Sequence, residues 1–287
     1  MAQQLAGYTT FKYFLVTSVG PAVAHVEINR PAKLNAFLEA MWLELGQIFR
    51  QLSTDPEVRV VVLSGAGNRA FTAGLDVQAA SQDSPLAPGR QDAVSDVGRK
   101  ATLLRRHIQE FQDCITAVEK CEKPVICVAN GISIGLAIDI LCCADIRVCS
   151  RDTKFSVKEV DIGMAADIGT LSRLPKVVGS SSWVKDVCLS ARYFGPAEAL
   201  AVGFVSQVHD SKAAALDAAF KLAELISSKS PIAVQGTKEL LNHAQDHPVD
   251  ESLRYTGVWN SAALQSADFQ VALLSGIQKK KPVFEKL

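Results

Sequence analysis

The chain has 287 residues, of which 48% are hydrophobic and 21% charged, so it is long enough to bury a sizeable core. Its 30 basic residues balance its 30 acidic residues, which disfavours a nucleic-acid-binding protein because such proteins normally carry a basic excess. The longest apolar stretch, residues 124–144, is interrupted by Asn130, Gly131, Gly135 and Asp139. A membrane span would not carry that pattern, so we expect none.

Cysteine usage and the two chain ends give expectations about the compartment. Seven cysteines lie scattered in apolar segments without any CxxC pair, which is typical of reduced, buried cysteines in an intracellular protein. Residues 1–7 lack the basic and apolar regions of a signal peptide. The chain ends in Glu285-Lys286-Leu287, an imperfect match to the peroxisomal Ser-Lys-Leu signal. We therefore expect a peroxisomal protein, with a mitochondrial or cytoplasmic location as the alternative.

The first part of the chain alternates strand and helix signals. Strands are predicted over residues 22–28, 59–64, 124–129 and 146–149. Helices are predicted over residues 38–52 and about 135–143. The polar segment Ala80 to Arg90, which contains proline and glycine, predicts a surface loop. This alternation indicates an α/β fold with crossover connections.

The pattern changes character after about Pro196. Helices are predicted over residues 197–201, 212–227 and 232–243, with further helical pattern over residues 251–278. We place a boundary near Gly195, so that residues 1–195 form the α/β core and residues 196–287 form a helical C-terminal region.

Three acidic residues stand out because their neighbours are small or apolar. Glu159 and Asp167 lie eight residues apart in KFSVKEVDIGMAADIGTLSR (residues 154–173), and Asp139 lies in NGISIGLAIDILCCAD (residues 130–145). Buried acids are costly unless they are paired, hydrogen-bonded or protonated, and proteins tolerate that cost where acid–base chemistry needs a shifted pKa. One such acid is as easily a helix cap or a surface residue, but three in two apolar segments favour a catalytic site.

Two glycine-bearing segments, SGAGNRAFTAGLDV (residues 64–77) and ANGISIGLAIDI (residues 129–140), follow the predicted buried strands. Glycine lets a ligand approach peptide N–H groups, and two convergent N–H donors form an oxyanion hole. Phosphate binding is the weaker alternative, because Ala70 replaces the third glycine of a GxGxxG fingerprint and no GxxxxGK[ST] motif occurs. Two tight turns without a ligand are a further alternative.

A histidine pair near the C-terminal region raises the question of a metal. His243 and His247 have the i,i+4 spacing of helical metal ligands, but such a pair needs further ligands and a non-polar setting. Gln245, Asp246 and Pro248 indicate a solvated helix end instead. We therefore expect no metal site.

Four segments, taken together, resemble a known family. INRPAKLNAF (residues 28–37) and residues 61–77, 123–148 and 155–179 match the enoyl-CoA hydratase/isomerase (crotonase) superfamily in order and spacing. The string KEVD-x-G-x-AAD-x-GTL, with an upstream acid at Asp139, most resembles its Δ3,5-Δ2,4-dienoyl-CoA isomerases. The resemblance implies a crotonase-like spiral of repeated ββα units and a helical C-terminal trimerisation region, in a homotrimer or a homohexamer built as a dimer of trimers.

The same resemblance implies the chemistry in fatty-acid β-oxidation. Glu159 is expected to remove a proton from C2 of a 3,5-dienoyl-CoA and Asp167 to return one at C6, while Asp139 tunes them. The backbone N–H groups of Leu75 and Leu136 are expected to form the oxyanion hole. The residues expected to bind the substrate and its coenzyme A are Lys33, Ala73, Gly74, Asp76 and Gly135. No metal or other cofactor is implied, since coenzyme A arrives as part of the acyl-CoA thioester.

One segment departs from the family pattern, and other activities stay open. Most members carry three consecutive glycines where this chain has Gly135-Leu136-Ala137, although Leu136 still provides an N–H donor. A 2-enoyl-CoA hydratase would use Asp139 and Glu159 on a water molecule and usually has glycine at the position of Asp167. A Δ3,Δ2-enoyl-CoA isomerase would leave Asp139 and Asp167 unexplained. A non-catalytic relative that binds acyl-CoA, a protein or RNA is the alternative from another class.

Overall fold

A seven-stranded sheet is the frame of the molecule in this computed structural model, which describes residues 3–83 and 96–287. Its strands, in spatial order, are β1 (Gln3–Gln4), β2 (Phe14–Gly20), β3 (Val23–Ile28), β4 (Val60–Gly65), β6 (Val125–Ala129), β8 (Ile146–Ser150) and β10 (Gln207–His209). The pairs β1–β2 and β2–β3 are antiparallel, and the other pairs are parallel. Every residue of β4 and β6 is buried, as parallel strands covered on both faces should be.

A second sheet contains three short parallel strands: β5 (Ala70–Thr72), β7 (Ile132–Ile134) and β9 (Lys154–Ser156). Consecutive strands alternate between the two sheets, as β4 then β5, β6 then β7, and β8 then β9, and a helix follows each pair. This arrangement confirms the expected spiral of ββα units. Because the three short strands are parallel, the segments that follow their carboxyl ends meet at one edge.

The described residues form α-helices of 6 to 24 residues. Their bounds are α1 (Glu39–Thr54), α2 (Val77–Asp83), α3 (Val97–Lys120), α4 (Leu136–Cys143), α5 (Thr170–Val177), α6 (Ser181–Ser190), α7 (Pro196–Ala201), α8 (Lys212–Ser227), α9 (Pro231–Ala244), α10 (Val249–Ala263) and α11 (Ala267–Gln278). Among these described helices, none combines the length and the hydropathy needed to cross a bilayer.

Alternate residues of the central strands face two different cores. Val61 and Leu63 of β4 belong to the larger core, with α1, α3 and α4, whereas Val60 and Val62 belong to a smaller core under α8. The α8 residues that meet the sheet are Ala215, Ala219 and Ala223. Their i,i+4 spacing and small size place a flat helix face against the β-branched strand residues.

The structure agrees with most predicted elements to within two residues but adds several. The predicted loop from Ala80 is wrong at its start, because Ala80 to Asp83 lie in α2, and the rest of that loop lies outside the described residues. The predicted helical pattern over residues 251–278 is two helices, α10 and α11. The sequence reading missed β1, β2, β10, the short strands of the second sheet, α3, α5 and α6.

The core continues beyond residue 195, since β10 pairs with β8 and α8 covers the central sheet. The division of the chain at 195/196 stays a prediction. All seven cysteines are buried and unpaired, in agreement with the sequence reading.

A buried ion pair attaches α9 to the α/β core. Lys238 Nζ lies 2.7 Å from Asp145 Oδ2 and donates to the carbonyl oxygen of Lys123 at 3.1 Å. The Lys238 side chain is 7% exposed. Asp145 Oδ2 also accepts from the N–H of Val125, at the start of β6, so one carboxylate holds the helix and the strand together.

We expect Lys238→Met to lower the free energy of unfolding by about 3 kcal/mol, because it leaves the carboxylate of Asp145, which is only 23% exposed, without its counter-ion. Urea unfolding at a fixed protein concentration measures this change. Lys221→Met is the matched control, since Lys221 pairs with Asp217 in an exposed i,i+4 pair and its loss should cost less than about 1 kcal/mol. Equal effects of the two substitutions would contradict the role assigned to the buried pair.

Candidate active site

A cavity of about 430 Å³ opens where the segments after β5, β7 and β9 meet. Its walls are mainly apolar and include Phe37, Trp42, Ile108, Phe111, Leu136 and Met164. The three acids singled out in the sequence, Asp139, Glu159 and Asp167, all line this cavity. A few acids in a mainly apolar cavity form a setting in which carboxyl pKa values shift and proton transfer becomes feasible.

Two glycine turns touch each other at the cavity wall. Gly74 has φ +85° and Gly135 has φ +57°, conformations that favour glycine. A Cβ atom on Gly74 would lie 2.9 Å from the carbonyl oxygen of Ile134 and 3.5 Å from the nitrogen of Leu136. The backbone that carries Leu75 therefore lies directly against the backbone that begins α4.

The N–H groups of Leu75 and Leu136 have no acceptor among the described residues. Leu136 is the first residue of α4, so its N–H has no carbonyl partner within the helix. The turn at Leu75 is fixed by bonds on either side of it: the N–H of Phe37 donates to Gly74, and the N–H of Asp76 donates to Phe37. Two free donors on adjoining turns meet the requirement for stabilising a developing oxyanion.

The two residues that replace the usual glycines take different positions. Leu136 is 4% exposed and its side chain lines the cavity, whereas Ala137 is fully buried in the core and contributes nothing to the cavity lining. The departure from the family pattern therefore adds one side chain to the cavity wall and leaves both backbone donors in place.

Asp139 is the most deeply buried of the three acids, at 1% exposure. Its Oδ1 atom accepts two hydrogen bonds of 2.7 Å, from the N–H and the hydroxyl of Thr170, and so caps the first turn of α5 from within α4. Burial and the neighbouring charge of Glu159 raise the pKa of Asp139 to about 7, against the opposing effect of the Thr170 bonds. Asp139 therefore links α4 to α5, and its ionisation depends on the charge of Glu159.

Glu159 begins the short 3-10 helix Glu159–Ile162 that follows β9, and it lies beside the two glycine turns. A Cβ atom on Gly135 would lie 3.5 Å from its Oε1 atom. Its Oε2 atom is buried and has no hydrogen-bond partner among the described residues. Burial, with a smaller contribution from Asp167, raises its pKa. A carboxylate oxygen without a protein partner is suited to accept a proton from a bound molecule.

Asp167 precedes α5 and is partly buried at the cavity. Burial raises its pKa, while its own backbone N–H and the charge of His107 act in the opposite direction. The carbonyl oxygen of Asp167 accepts a 2.5 Å hydrogen bond from Nε2 of Gln112 in α3, which fixes the backbone beside the acid.

The other predicted contact residues divide into two groups. Ala73, Gly74, Asp76 and Gly135 line the cavity. Asp76 also pairs with Arg30 at 2.8 Å and accepts from the N–H of Ala79, so its carboxylate supports the turn before α2. Lys33 is exposed and does not line the cavity.

Sequence reasoning missed the aromatic wall and the partner of Asp139. The Trp42 ring stacks on Phe111 with centroids 3.7 Å apart, and His107 meets its edge at 5.4 Å. His107 and Phe111 have i,i+4 spacing, which is the signal that identifies one face of α3 once that helix is recognised. Thr170 lay within the quoted GTL string, but only the fold shows that its hydroxyl reaches Asp139.

The comparisons with known proteins place this site in a family. The Enoyl-CoA hydratase/isomerase family model matches residues 19–286, so the chain belongs to that family. It is 46% identical over 265 residues to the mitochondrial Delta(3,5)-Delta(2,4)-dienoyl-CoA isomerase of Rattus norvegicus, covering 92% of this chain and 79% of that protein. It is 41% identical to the peroxisomal Delta(3,5)-Delta(2,4)-dienoyl-CoA isomerase of Arabidopsis thaliana, covering 93% of this chain and 94% of that one.

Solved structures agree with the fold. An enoyl-CoA hydratase from Bacillus anthracis superposes with a TM-score of 0.85 at 24% identity, covering 96% of this chain and 99% of that one. An enoyl-CoA hydratase/carnithine racemase from Magnetospirillum magneticum gives a TM-score of 0.80 at 26% identity, covering 97% of both chains. The expected crotonase-like fold is therefore confirmed.

The raised pKa of Asp139 predicts a pH-dependent stability. The folded chain holds this proton up to a pH of about 7, whereas the unfolded chain releases it near pH 3.8, so wild type should lose stability as pH rises through this interval. Asp139→Asn can still accept the Thr170 bonds but does not ionise. The free energy of unfolding of the variant, relative to wild type, should therefore rise by up to about 4 kcal/mol between pH 4 and pH 8.

Denaturant unfolding over a pH series checks this prediction. Asp210→Asn is the control, because Asp210 is 82% exposed and its removal should leave the pH profile unchanged. Parallel profiles for wild type and Asp139→Asn would mean that the burial of Asp139 does not shift its pKa as argued.

Proposed function

We propose that the chain converts 3,5-dienoyl-CoA to 2,4-dienoyl-CoA in fatty-acid β-oxidation. The observation that carries this proposal is the presence of Asp139, Glu159 and Asp167 in one apolar cavity, beside two unoccupied backbone N–H donors. The relatives that bear this activity in their names are 41% to 46% identical over most of the chain. A simple enoyl-CoA isomerase or hydratase would leave at least one of the acids without a task.

The reaction begins at the thioester. Its carbonyl oxygen accepts from the N–H groups of Leu75 and Leu136, and the charge that develops on this oxygen is stabilised most when the C2–H bond breaks. One such donor is worth about 3 kcal/mol of the barrier. The positive end of the α4 dipole, which begins at Leu136, adds to this stabilisation.

Glu159 takes the C2 proton, for which its unpartnered Oε2 atom is suited. The electron pair of the broken bond forms the C2=C3 double bond, the C3=C4 pair moves to C4=C5, and the C5=C6 pair accepts a proton at C6. Asp167 donates that proton. Burial raises the pKa of the Asp167 carboxyl, which is the direction that a general acid requires.

After one turnover Glu159 holds a proton and Asp167 lacks one. The two acids influence each other electrostatically, because the charge of Asp167 raises the pKa of Glu159. Loss of the Asp167 proton therefore favours the protonated form of Glu159, which helps to hold the abstracted proton until solvent exchange restores both. Asp139 contributes through the electrostatic coupling between its carboxyl group and that of Glu159, whose charge raises the pKa of Asp139.

The proposed reaction needs no cofactor, since the thioester itself acidifies the C2 proton. Coenzyme A enters as part of the substrate. Ala73, Gly74, Asp76 and Gly135 contact the thioester end through the cavity wall. Lys33, exposed outside the cavity, meets the phosphates of the coenzyme A portion.

A homo-oligomer accompanies this activity, as a trimer or a dimer of trimers. Support comes from α10, which has no buried residue. Its apolar side chains Leu253 and Val258 are 64% and 66% exposed. Ile277 of α11 is 73% exposed. Exposed apolar side chains concentrated on neighbouring helices mark a protein–protein interface. The proposed compartment is the peroxisome or the mitochondrion, because the names of the Arabidopsis thaliana and Rattus norvegicus relatives give these two locations.

We expect Asp167→Asn to lower isomerase turnover by about 10²- to 10⁴-fold, because it removes the C6 proton donor. The assay follows the long-wavelength absorbance of the conjugated 2,4-dienoyl thioester formed from 3,5-octadienoyl-CoA. Asp210→Asn, the same substitution at an exposed site, should retain wild-type rates. Wild-type hydration of crotonyl-CoA without isomerisation would instead favour a hydratase, and binding without either reaction would favour a non-catalytic acyl-CoA protein.

Leu136→Pro tests the oxyanion donor separately from the acids. Proline is tolerated at the first position of a helix but has no N–H, so the variant should fold and lose about 10²- to 10³-fold in kcat. Leu136→Ala keeps the N–H and removes most of the side chain, and it should lose much less. Equal losses in the two variants, with unchanged circular dichroism, would assign the effect to the leucine side chain and overturn the donor role.

A further inference from the structure

Three metal-ligating side chains meet at the turn between α9 and α10. His243 is in the last turn of α9, His247 is in the connecting segment and Glu251 is in the first turn of α10. One ligand atom from each lies within 4.8 Å of the others. The histidine spacing was visible in the sequence, and the fold supplies the third ligand that it lacked. None of the three lines the catalytic cavity.

Hydrogen bonds orient both imidazoles for binding through the same ring nitrogen. His247 Nδ1 lies 2.7 Å from the carbonyl oxygen of His243, and because a carbonyl only accepts, Nδ1 carries the proton. The lone pair of the neutral ring is then on Nε2. His243 Nδ1 lies 3.4 Å from the hydroxyl of Ser252, and in the tautomer in which Nδ1 donates to this hydroxyl the lone pair of the His243 ring is on Nε2 as well. A histidine that binds metal commonly donates its other ring N–H to such a partner.

The rings are also held in place by stacking. The His243 and His247 centroids are 3.7 Å apart with planes 9° from parallel, and Tyr255 stacks on His243 at 4.4 Å. His243 is therefore fixed between two planar groups. The lone pairs of two parallel stacked rings run side by side, so binding of one ion requires the His247 ring, which is exposed, to rotate out of this stack while His243 keeps its place on Tyr255.

We propose that His243, His247 and Glu251 bind a divalent transition metal ion of the zinc type. Two imidazole nitrogens and one carboxylate, with a fourth position open to solvent, form a ligand set that Zn²⁺ accepts. Because the ligands come from the end of one helix, its connection and the start of the next, the ion clamps the α9–α10 turn. The site is separate from the acids of the isomerase reaction, so its failure would leave the proposed function intact.

Zinc titration of the tag-free protein, by calorimetry against ZnCl₂, tests the proposal. Wild type should bind one zinc ion per chain. His247→Gln and Glu251→Gln, both at exposed positions, should each weaken binding by more than about tenfold, since even the loss of an outer-shell partner costs 10- to 100-fold. His209→Gln is the matched control, because His209 pairs with Gln207 on β10, away from the cluster.

Thermal unfolding gives a second readout. Zinc that binds the folded chain raises its Tm, and this rise should occur in wild type and His209→Gln but be lost in His247→Gln and Glu251→Gln. Absence of zinc binding to wild type would overturn the proposal. So would equal affinity and an equal Tm rise in the His247→Gln and Glu251→Gln variants.

Discussion

Parallel pairing of three very short strands is the constraint on which the active site depends. The pair β7–β9 aligns Ile134 with Ser156, and the N–H of Gly135 continues the ladder by donating to Ser156. The chain can then turn at Gly135 into α4 beside the start of the Glu159 helix. Since β5 runs in the same direction, its carboxyl end brings Gly74 against Gly135. The proposed base and the two proposed oxyanion donors are thus brought together from three distant segments by the backbone geometry of these strands.

The acids placed at that edge oppose stability, and neighbouring contacts compensate for them. Asp139 is buried and makes no direct ion pair among the described residues, but the charge of Arg173 lowers its pKa, and Thr170 gives it two hydrogen bonds that tie α4 to α5. Arg173 of α5 in turn pairs with Glu119 at 2.8 Å and bonds Thr116 at 2.9 Å, both on α3. The helices that carry and surround the acids therefore hold one another in register, which preorganises the site before substrate arrives.

The sequence predicted the parts of this arrangement that have a local signature. Continuous β-branched runs predicted β4 and β6 because burial on both faces leaves no room for polar residues. Asp139, Glu159 and Asp167 were recognisable as polar residues within apolar segments, and the resemblance to a family supplied their roles. Helix α3 was missed because only its last turns, from Phe111 onwards, carry buried residues.

Other features depend on contacts that no local pattern encodes. Strands of three residues, such as β5, are too short to show a period. The bond from Thr170 to Asp139 spans 31 residues, and Glu251 joins the two histidines only because the chain reverses after α9. The Leu136-Ala137 replacement also needed the fold. The backbone conformation requires a glycine only at position 135, where φ is +57° and ψ is −122°. The next two positions belong to helix α4, where Ala137 is buried in the core and Leu136 lines the cavity and carries a backbone N–H donor. Of the two replacements only Leu136 lines the cavity, so the change from glycine affects the space for a ligand at that position alone and leaves the backbone N–H donor in place.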